Sequence, residues 1–191
     1  EFNALDSNTS TDIILSGGVV DTATNYSSLT GDATSGLLAI GTQDGDVSIT
    51  VSDAANMLQF ADIDDATTTA VNLTGGISDT ADSMADVGGN STSGFSAATT
   101  QDTDVNVTIT GTDATVSQLN EIASAAGGTV TASITGDIST LESLTTASTD
   151  VISVTVNDAV TVTEFNTLDA KTATAISLTG GISDTADSMA D

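Results

Sequence analysis

The stretch LTGGISDTADSMAD, at Leu73–Asp86, recurs without a change at Leu178–Asp191, so that position 73 corresponds to position 178 at an offset of 105 residues. The match extends toward the N-terminus, since Val51–Asp86 aligns without gaps with Val156–Asp191. An identical block at a fixed offset is typical of repeat proteins, in which each unit buries its apolar face against its neighbours. The sequence therefore predicts a repetitive architecture.

Two further alignments extend the repetition to the rest of the chain. Leu15–Thr50 aligns with Leu73–Thr108 at an offset of 58 residues, and EFNALD at residues 1–6 matches EFNTLD at residues 164–169. We therefore expect the chain to be part of a longer repetitive protein. The expected units are a partial repeat with an insertion loop at 1–45, a repeat with an insertion loop at 46–103, a repeat without an insertion at 104–149, and a partial repeat at 150–191.

The composition limits the possible partners and chemistries. Of 191 residues, 27 are Asp or Glu and one is Lys or Arg, which gives a formal net charge of −26. This charge excludes nucleic acid and anionic membranes as electrostatic partners and favours cations. Cys, Pro, Trp and His are absent, which excludes disulfides and metal sites built from thiolates or imidazoles. Because only 3% of the residues are aromatic, the core must be mainly aliphatic.

Short segments with alternating aliphatic and polar residues predict strands. In each segment the aliphatic side chains share one face, and Ser, Thr or Asn occupy the other. Four of the segments begin at positions 105, 130, 152 and 176, a spacing of about 23 residues that is typical of solenoid coils. The segments are Val47–Val51, Val105–Ile109, Val130–Ile134, Ile152–Val156 and Ile176–Leu178.

Between these segments the spacing of apolar residues becomes helical. Such spacing predicts short helices with one buried face. Asp53, Asp113 and Asp158 precede three of the segments and are predicted as N-caps. The apolar stripes consist of Ile77, Ala81 and Met84; Leu119, Ile122 and Ala126; Ile138, Leu141 and Leu144; and Ile182, Ala186 and Met189.

Together these patterns favour an α/β solenoid of repeated strand-helix coils with parallel strands joined by right-handed crossovers. Insertion loops near Thr30–Asp46 and Val87–Asp104 interrupt the spacing in two of the repeats. The alternative is an all-β fold, either a β-helix or tandem Ig-like sandwiches, because an offset near 100 residues suits an Ig-like module. A sandwich would show strands about every 8 to 12 residues, which is half the spacing seen in this sequence.

Two copied acidic loops are the candidate metal site. QDGD at residues 43–46 and QDTD at residues 101–104 place pairs of Asp carboxylates two residues apart. Hard oxygen ligands at this spacing suit Ca²⁺, so Asp44, Asp46, Asp102 and Asp104 are predicted as calcium ligands. Neither loop continues as an EF-hand, and the alternative is a solvated turn with capping Asp residues. The third equivalent loop, Ala147–Asp150, retains only one carboxylate.

Other acidic and glycine-rich positions give weaker indications. Asp62, Asp64 and Asp65 form a cluster, but the next copy lacks two of these carboxylates, which favours a charged helix end over a ligand site. Gly75-Gly76 and Gly180-Gly181 each follow a strand, as phosphate-binding loops do. They lack the third Gly of a dinucleotide fingerprint and the Lys of a Walker loop, so we expect tight turns.

The sequence predicts no enzyme. Nucleophilic catalysis needs a base beside the nucleophile, and with no His or Cys present Lys171 is the only side-chain amine. A pair of carboxylates is the remaining chemical option, for glycoside hydrolysis. No pair stands out from the general excess of Asp, and no aromatic platform is available to bind a sugar ring.

Several segments resemble a known group of proteins. TVSQLNEI at Thr115–Ile122, TVTASITG at Thr129–Gly136, TEFNTLDAKT at Thr163–Thr172 and the duplicated ISDTADSMA are similar to repeats of giant, Asp- and Thr-rich surface proteins of marine cyanobacteria and other marine bacteria. Related repeats occur in their phages. The resemblance implies export, a role at the cell surface as adhesin, sheath or filament, and no enzymatic activity. It carries no functional residues.

We therefore expect a non-enzymatic, extracellular structural repeat protein at the cell surface. It would form a filament, sheath, S-layer-like coat or adhesin stalk, with divalent cations, Ca²⁺ above all, as stabilising partners. Other copies of the same chain are the expected macromolecular partner, and neither nucleic acid binding nor membrane insertion is expected. The alternatives are an adhesin that binds glycans or ice through its Ser/Thr face, and a segment of a phage fibre.

Overall fold

A computed structural model describes residues 2–189, in which short strands and helices alternate along the chain. The helices are α1 (Phe2–Asp6), α2 (Ala23–Tyr26), α3 (Ser35–Gln43), α4 (Met57–Asp65), α5 (Ala81–Met84), α6 (Ser93–Gln101), α7 (Val116–Ala126), α8 (Ile138–Leu141) and α9 (Val162–Asp169). The strands are β1 (Val19–Asp21), β2 (Ile49–Val51), β3 (Ile77–Thr80), β4 (Val107–Thr110), β5 (Val130–Gly136), β6 (Val151–Val156) and β7 (Ser177–Leu178).

The strands form two sheets, a two-stranded sheet of order β1-β2 and a five-stranded sheet of order β3-β4-β5-β6-β7. The pairing is parallel, as the registers Val19↔Ile49 and Val107↔Val130 illustrate. Parallel neighbours need a crossover connection, and helices supply it between most successive strands. The predicted α/β class with parallel strands is therefore confirmed. The all-β alternatives are wrong, because helices alternate with the strands.

The chain divides into two compact units, each with its own apolar core. The first unit consists of residues 2–79 and 93–106, and the second of residues 80–92 and 107–189. The largest fully buried side chains of the first unit are Phe60, Phe95, Leu37, Ile49, Ile63 and Ile77. Those of the second unit are Met84, Leu119, Ile122, Leu141, Leu144 and Ile152.

The predicted faces of the strands are confirmed in the second unit. Along β4 buried and exposed residues alternate strictly, with Val107 1% exposed and Thr108 in solvent. β5 and the Ile152–Val156 part of β6 also bury their aliphatic residues, and their Ser and Thr residues are partly or fully exposed, whereas Val151 at the start of β6 is 37% exposed. Alternation of this kind places one face of each strand in the core, since successive side chains point to opposite sides.

Several local predictions are wrong. The predicted N-caps Asp53, Asp113 and Asp158 are not the capping residues, which are Asn56, Thr115 and Thr161. Each of these three residues forms a capping box with the Gln or Glu three positions later. In each box, the side chain of one residue accepts a hydrogen bond from the backbone N–H of the other, so both N–H groups have a partner. The Asp residues lie two or three positions earlier, outside the first turn.

The duplicated block and the insertions also differ from the prediction. Ile77 lies in β3 and not on a helix, because it pairs in a parallel bridge with Ala55. Ile182 makes the equivalent parallel bridge with Val160. The predicted insertion loops each contain a nine-residue helix, α3 and α6, whose sequences rich in Gly, Ser and Thr gave no clear helical period.

Candidate functional site

The copied Gln-Asp loops hold the backbone of an earlier part of the chain. Asp44 Oδ2 accepts a hydrogen bond from the backbone N–H of Leu15 at 2.5 Å, 29 residues earlier. In the next repeat, Asp102 Oδ2 accepts from the backbone N–H of Leu73 at 2.6 Å, again 29 residues earlier. The preceding Gln makes a parallel contact, for example Gln101 Oε1 with the N–H of Val71 at 2.7 Å. Each loop thus stabilises the path of the preceding coil, that is, of one strand together with the helix and loop residues that lead to the next strand.

The third loop also binds an earlier backbone N–H, but from its fourth position, which corresponds to Asp46 and Asp104, and over 20 residues instead of 29. Asp150 is 4% exposed, and its Oδ1 accepts from the backbone N–H of Val130 at 2.9 Å. Its Oδ2 accepts from the N–H of Ala147 at 2.8 Å, which closes the loop itself. Both oxygens of this buried carboxylate are therefore satisfied, as burial of a charged group requires. Asp150 is therefore used for backbone binding within its own part of the chain, although the residues at its position in the other two loops, Asp46 and Asp104, are exposed.

This role bears on the calcium prediction. Asp44 and Asp102 each use an oxygen to bind backbone, whereas Asp46 and Asp104 are exposed. Among the residues that the structure describes, no group of three or more acidic side chains is arranged to hold a metal ion. Calcium binding by these four residues stays a prediction. Asp46 and Asp104 are the members of the set whose carboxylates are exposed to solvent and available to an ion.

A second set of carboxylates binds the first residue of a helix in the preceding coil. In each case the carboxylate accepts the backbone N–H of the first helical residue, which has no partner inside its own helix. The negative charge also lies at the positive end of the helix dipole. The pairs are Asp53 with Ala23 (2.6 Å), Asp79 with Met57 (2.9 Å), Asp158 with Ile138 (2.8 Å) and Asp184 with Val162 (3.0 Å).

These contacts complete the helix caps. In α9, the capping box of Thr161 and Glu164 satisfies the N–H groups of those two residues, and Asp184 satisfies the N–H of Val162 between them. The cap therefore consists of a local pair and a carboxylate from the next coil. Asp53 and Asp158, the mispredicted N-caps, in fact cap a helix of the preceding coil.

Threonine hydroxyls supply the complementary donors. Thr74 Oγ1 donates to the carbonyl of Val51 at 2.9 Å, and Thr179 Oγ1 donates to Val156 at 2.8 Å, each over 23 residues. These two contacts occupy the same place in their repeats, since their residues differ by the offset of 105. Thr67 Oγ1 donates similarly to the carbonyl of Val47 at 2.6 Å. The Asp carboxylates accept hydrogen bonds from backbone N–H groups, and the Thr hydroxyls donate to backbone carbonyls. Both kinds of backbone group therefore gain a partner from another coil.

The glycine pairs form tight turns, as predicted. Gly76 has φ +78°, a left-handed conformation that only glycine adopts without strain. Its neighbour Gly75 lies so close to the backbone of Asp53 that an added Cβ would be 2.0 Å from the carbonyl carbon. Gly180 has the same relation to Asp158, at 2.1 Å. The pairs therefore permit close backbone approach between coils.

The second acidic cluster makes contacts within its unit. Asp62 Oδ2 accepts from the hydroxyl of Ser27 at 2.5 Å, and Asp64 Oδ1 accepts from the Gln101 carboxamide. Asp62 and Asp65 also line a shallow cleft of about 310 Å³. The cluster lies in the second half of α4, as the charged-helix-end interpretation predicted.

Two carboxylates, the exposed Asp86 and the partly buried Asp184, have lowered pKa values because backbone N–H groups stabilise their charged form. Hydrogen bonds from the backbone and side chain of Asn90 hold the pKa of Asp86 below its usual value. The pKa of Asp184 is lowered first by the N–H of Val162 and then by that of Thr185. Both residues therefore stay ionised to lower pH than an ordinary Asp.

Comparisons with known proteins identify no relative. No protein-family model, no curated protein and no solved structure matches the chain. Within residues 2–189, no helix has both the length and the apolar character needed to cross a bilayer.

The contacts between coils were missed by the sequence analysis. A signal was available, because Asp-Thr-Ala follows the glycine pair at residues 21–23, 79–81 and 184–186. Only the structure relates two of these Asp residues to a helix that begins 22 residues earlier.

Proposed function

We propose that this chain is a non-enzymatic structural repeat segment of an extracellular surface protein, which forms a filament, sheath, coat or adhesin stalk. The proposal takes the architecture to be a solenoid of strand-helix coils. It rests on contacts that recur from one repeat to the next, and on the resemblance to Asp- and Thr-rich surface proteins of marine bacteria.

The observation that carries the proposal is the use of acidic and hydroxyl side chains between coils. Asp79 and Asp184 make the same contact at an offset of 105 residues, and so do Thr74 and Thr179. In a repeat protein each unit contacts its neighbours, and stability is approximately a sum of unit and interface contributions. Contacts that recur between equivalent residues of two repeats support an architecture of this kind.

The spacing of the pairings supports the solenoid. The parallel bridges Thr50↔Asn72, Ala55↔Ile77 and Val160↔Ile182 each join residues 22 positions apart. The β4–β5 register, Val107↔Val130, has nearly the same spacing. The spacing is 20 residues in the β5–β6 register, Thr131↔Val151, and 30 in the β1–β2 register, Val19↔Ile49, where the intervening chain contains α3. Parallel pairing of each strand with the next one along the chain is the pattern that a solenoid produces.

Surface labelling tests the proposed function. Antibodies raised against the purified chain are applied to intact source cells, and the label is located by electron microscopy. We expect label on extracellular filaments or a surface layer without permeabilisation, and purification of the labelled assembly would distinguish cell filament from phage fibre. Label seen only after permeabilisation would contradict the proposal.

Repeat addition tests the architecture separately. A chain lengthened by one further copy of residues 74–178 should unfold at a higher temperature, because the added unit contributes another interface. An unchanged melting temperature, or two independent transitions, would show that the units do not stack as a solenoid.

A further inference from the structure

Three leucines are exposed on the part of the first unit formed by α3 and α4. Leu38 of α3 is 60% exposed, Leu58 of α4 is 56% exposed, and Leu29, in the loop before α3, is 68% exposed. Single exposed leucines are common on protein surfaces, whereas apolar side chains that share one surface mark a site of interaction.

Contacts within the unit bring this loop and α4 together. The carbonyl of Leu29 accepts a hydrogen bond from Nδ2 of Asn56, the N-cap of α4, at 2.9 Å. Two residues after Leu29, a Cβ placed on Gly31 would lie 3.0 Å from the Cβ of Leu58. The loop therefore passes beside Leu58 before α3 begins.

A cleft of about 310 Å³ lies between α3 and α4. Leu38 and Ala33 contribute apolar groups to its lining, and Asp62 and Asp65 contribute carboxylates. Asp62 follows Leu58 by four residues on α4, so these two side chains are neighbours on one face of the helix. The cleft and the exposed leucines thus form one surface, which we call the α3–α4 surface and define as Leu29, Leu38, Leu58, Asp62 and Asp65.

The two carboxylates of this surface can accept further hydrogen bonds. Asp65 is exposed, and its carboxylate makes no hydrogen bond or ion pair among the described residues. Oδ2 of Asp62 accepts from the hydroxyl of Ser27, and no donor to its Oδ1 is present within residues 2–189. With one Lys or Arg against 27 acidic residues, a second copy of the chain has little positive charge to offer. Charge complementarity therefore favours a basic partner.

The apolar character of the α3–α4 surface is particular to the first repeat. The fourth residue of α3 is Leu38, whereas that of the equivalent helix α6 is Ser96. The second residue of α4 is Leu58, whereas that of α7 is Ser117. Both serines are exposed, so exposure belongs to these positions of the repeat, and the repeat folds without a leucine at either of them.

We propose that the α3–α4 surface binds a basic amphipathic helix of another protein. The apolar face of that helix covers the three leucines, and a Lys or Arg beside this face pairs with Asp62 and Asp65. A cleft between two helices, with apolar groups inside and charge at its rim, fits this mode of recognition. The inference goes beyond the proposed function, and it does not depend on stacking of the repeats, because the whole surface lies within one unit.

Peptide binding to the full chain tests the proposal. The probe is a synthetic helical peptide with leucines on one face and arginines beside them, and its control has Ser in place of each Leu and the same charge. Fluorescence anisotropy at physiological ionic strength should show at least about tenfold tighter binding of the leucine peptide, since burial of one leucine side chain is worth about that factor. Equal affinities, or no binding, would overturn the proposal.

Matched leucine variants locate the binding site. Leu38→Ser and Leu58→Ser introduce the residues of the equivalent positions in the next repeat, so both variants should fold. Each should weaken binding of the leucine peptide about tenfold. Val87→Ser is the control, because it removes an apolar side chain that is 73% exposed in the second unit, and it should leave the affinity unchanged. A loss for Val87→Ser as large as that for Leu38→Ser would exclude the α3–α4 surface.

Matched Asp variants test the requirement for a basic partner. Asp65→Asn and Asp113→Asn each remove one exposed carboxylate that makes no hydrogen bond among the described residues. We expect a several-fold loss of affinity for Asp65→Asn alone. Equal effects would mean that the net charge of −26 attracts the peptide without a site, and would contradict the proposal.

Sedimentation velocity of the chain without peptide tests a second copy as the occupant. We expect the same sedimentation for the wild-type chain and for Leu38→Ser. Self-association of the wild-type chain that Leu38→Ser abolishes would assign the α3–α4 surface to a second copy and overturn the proposal of a basic partner.

Discussion

At the scale of single residues, Asp and Thr act as backbone partners between neighbouring coils. A carboxylate on a short side chain reaches the N–H of a chain segment one strand spacing away, about 4.8 Å. A hydroxyl on an equally short side chain reaches a carbonyl, as Thr74 does with Val51. The short reach explains why the acidic residues are almost all Asp, with Glu at only four positions.

Removing one carboxylate between coils should destabilise the fold. We expect Asp158→Ala to lower the free energy of unfolding by about 1 kcal/mol, because the N–H of Ile138 loses its acceptor. Asp113→Ala is the control, since Asp113 is exposed and makes no hydrogen bond among the described residues. Urea unfolding of both variants measures the difference. Equal losses would mean that the contact between coils adds no stability.

Equivalent glycines of two repeats, Gly75 and Gly17, should respond differently to alanine. Gly75→Ala should cost about 1–3 kcal/mol, because the new Cβ would overlap the backbone of Asp53. Gly17→Ala should be neutral or slightly stabilising, since no other atom lies within 4 Å of its added Cβ. Thermal melting of the two variants tests this. A costly Gly17→Ala would show that the first repeat is covered in solution.

Stability should fall in acid because of the lowered pKa values. In the unfolded chain Asp184 regains an ordinary pKa near 4, so its contribution is fully present above that pH. As the pH falls through the lower folded-state pKa, the carboxylate is protonated and the contribution is lost. Unfolding measured from pH 6 to pH 2.5, roughly, at constant high salt should show this loss.

Asp184→Asn is the control for the acid measurement. The amide cannot titrate, so the slope of stability against pH should be shallower than in the wild-type chain. An unchanged slope would assign the acid sensitivity to other carboxylates.

At the scale of elements, strands of two to seven residues alternate with helices of four to eleven. Short helices are unstable alone, so their caps and buried faces must come from packing. α7 shows the combination, with a capping box at Thr115 and a buried face of Leu119, Ile122 and Ala126. The apolar stripe of α7 could therefore be predicted from the sequence.

The two faces of β4 should differ sharply in tolerance to charge. Val107→Asp buries a carboxylate with no partner and should destabilise the fold by several kcal/mol, about 3 or more. Thr108→Asp places the same group in solvent and should change stability by less than about 0.5 kcal/mol. Chemical denaturation of both variants distinguishes them. Similar losses would mean that both faces of the strand are covered.

At the scale of the whole molecule, a net charge of −26 must be accommodated. Some of the carboxylates accept hydrogen bonds from N–H groups at helix N-termini or near strands. The exposed carboxylates repel one another. Cations would relieve this repulsion by screening or by direct binding. Glycan and ice binding by the Ser/Thr face stay predictions.

Calcium should raise the melting temperature if the copied loops bind it. At a concentration a hundred times the dissociation constant, a ligand specific for the folded state adds about 2.7 kcal/mol. We expect a higher melting temperature in millimolar Ca²⁺ than in excess chelator at fixed ionic strength. The double variant Asp46→Asn, Asp104→Asn should lose the difference and keep its calcium-free stability, because both side chains are exposed. No shift in the wild-type chain would exclude the site.

The sequence by itself determined the class of the fold and the faces of its strands. Hydrophobic alternation at residues 130–134 and 152–156 is a local property, and the buried sides of β5 and β6 follow from it. The tight turns at the glycine pairs were also predictable from the sequence, because glycine, which has no Cβ, is favoured where the backbone turns tightly or approaches another backbone closely. The helices α3 and α6 were not predicted, because their sequences have low helix propensity and their stability depends on tertiary packing.

Only the tertiary structure decided what the carboxylates do. Asp53 and Asp158 have the sequence context of N-caps, yet each binds the N-terminus of a helix 20 or 30 residues earlier. Asp44 and Asp102 have the spacing of calcium ligands, yet each accepts a backbone N–H from 29 residues away. A carboxylate accepts a hydrogen bond from any donor within reach, and the tertiary packing of the strands and helices determines which donor that is.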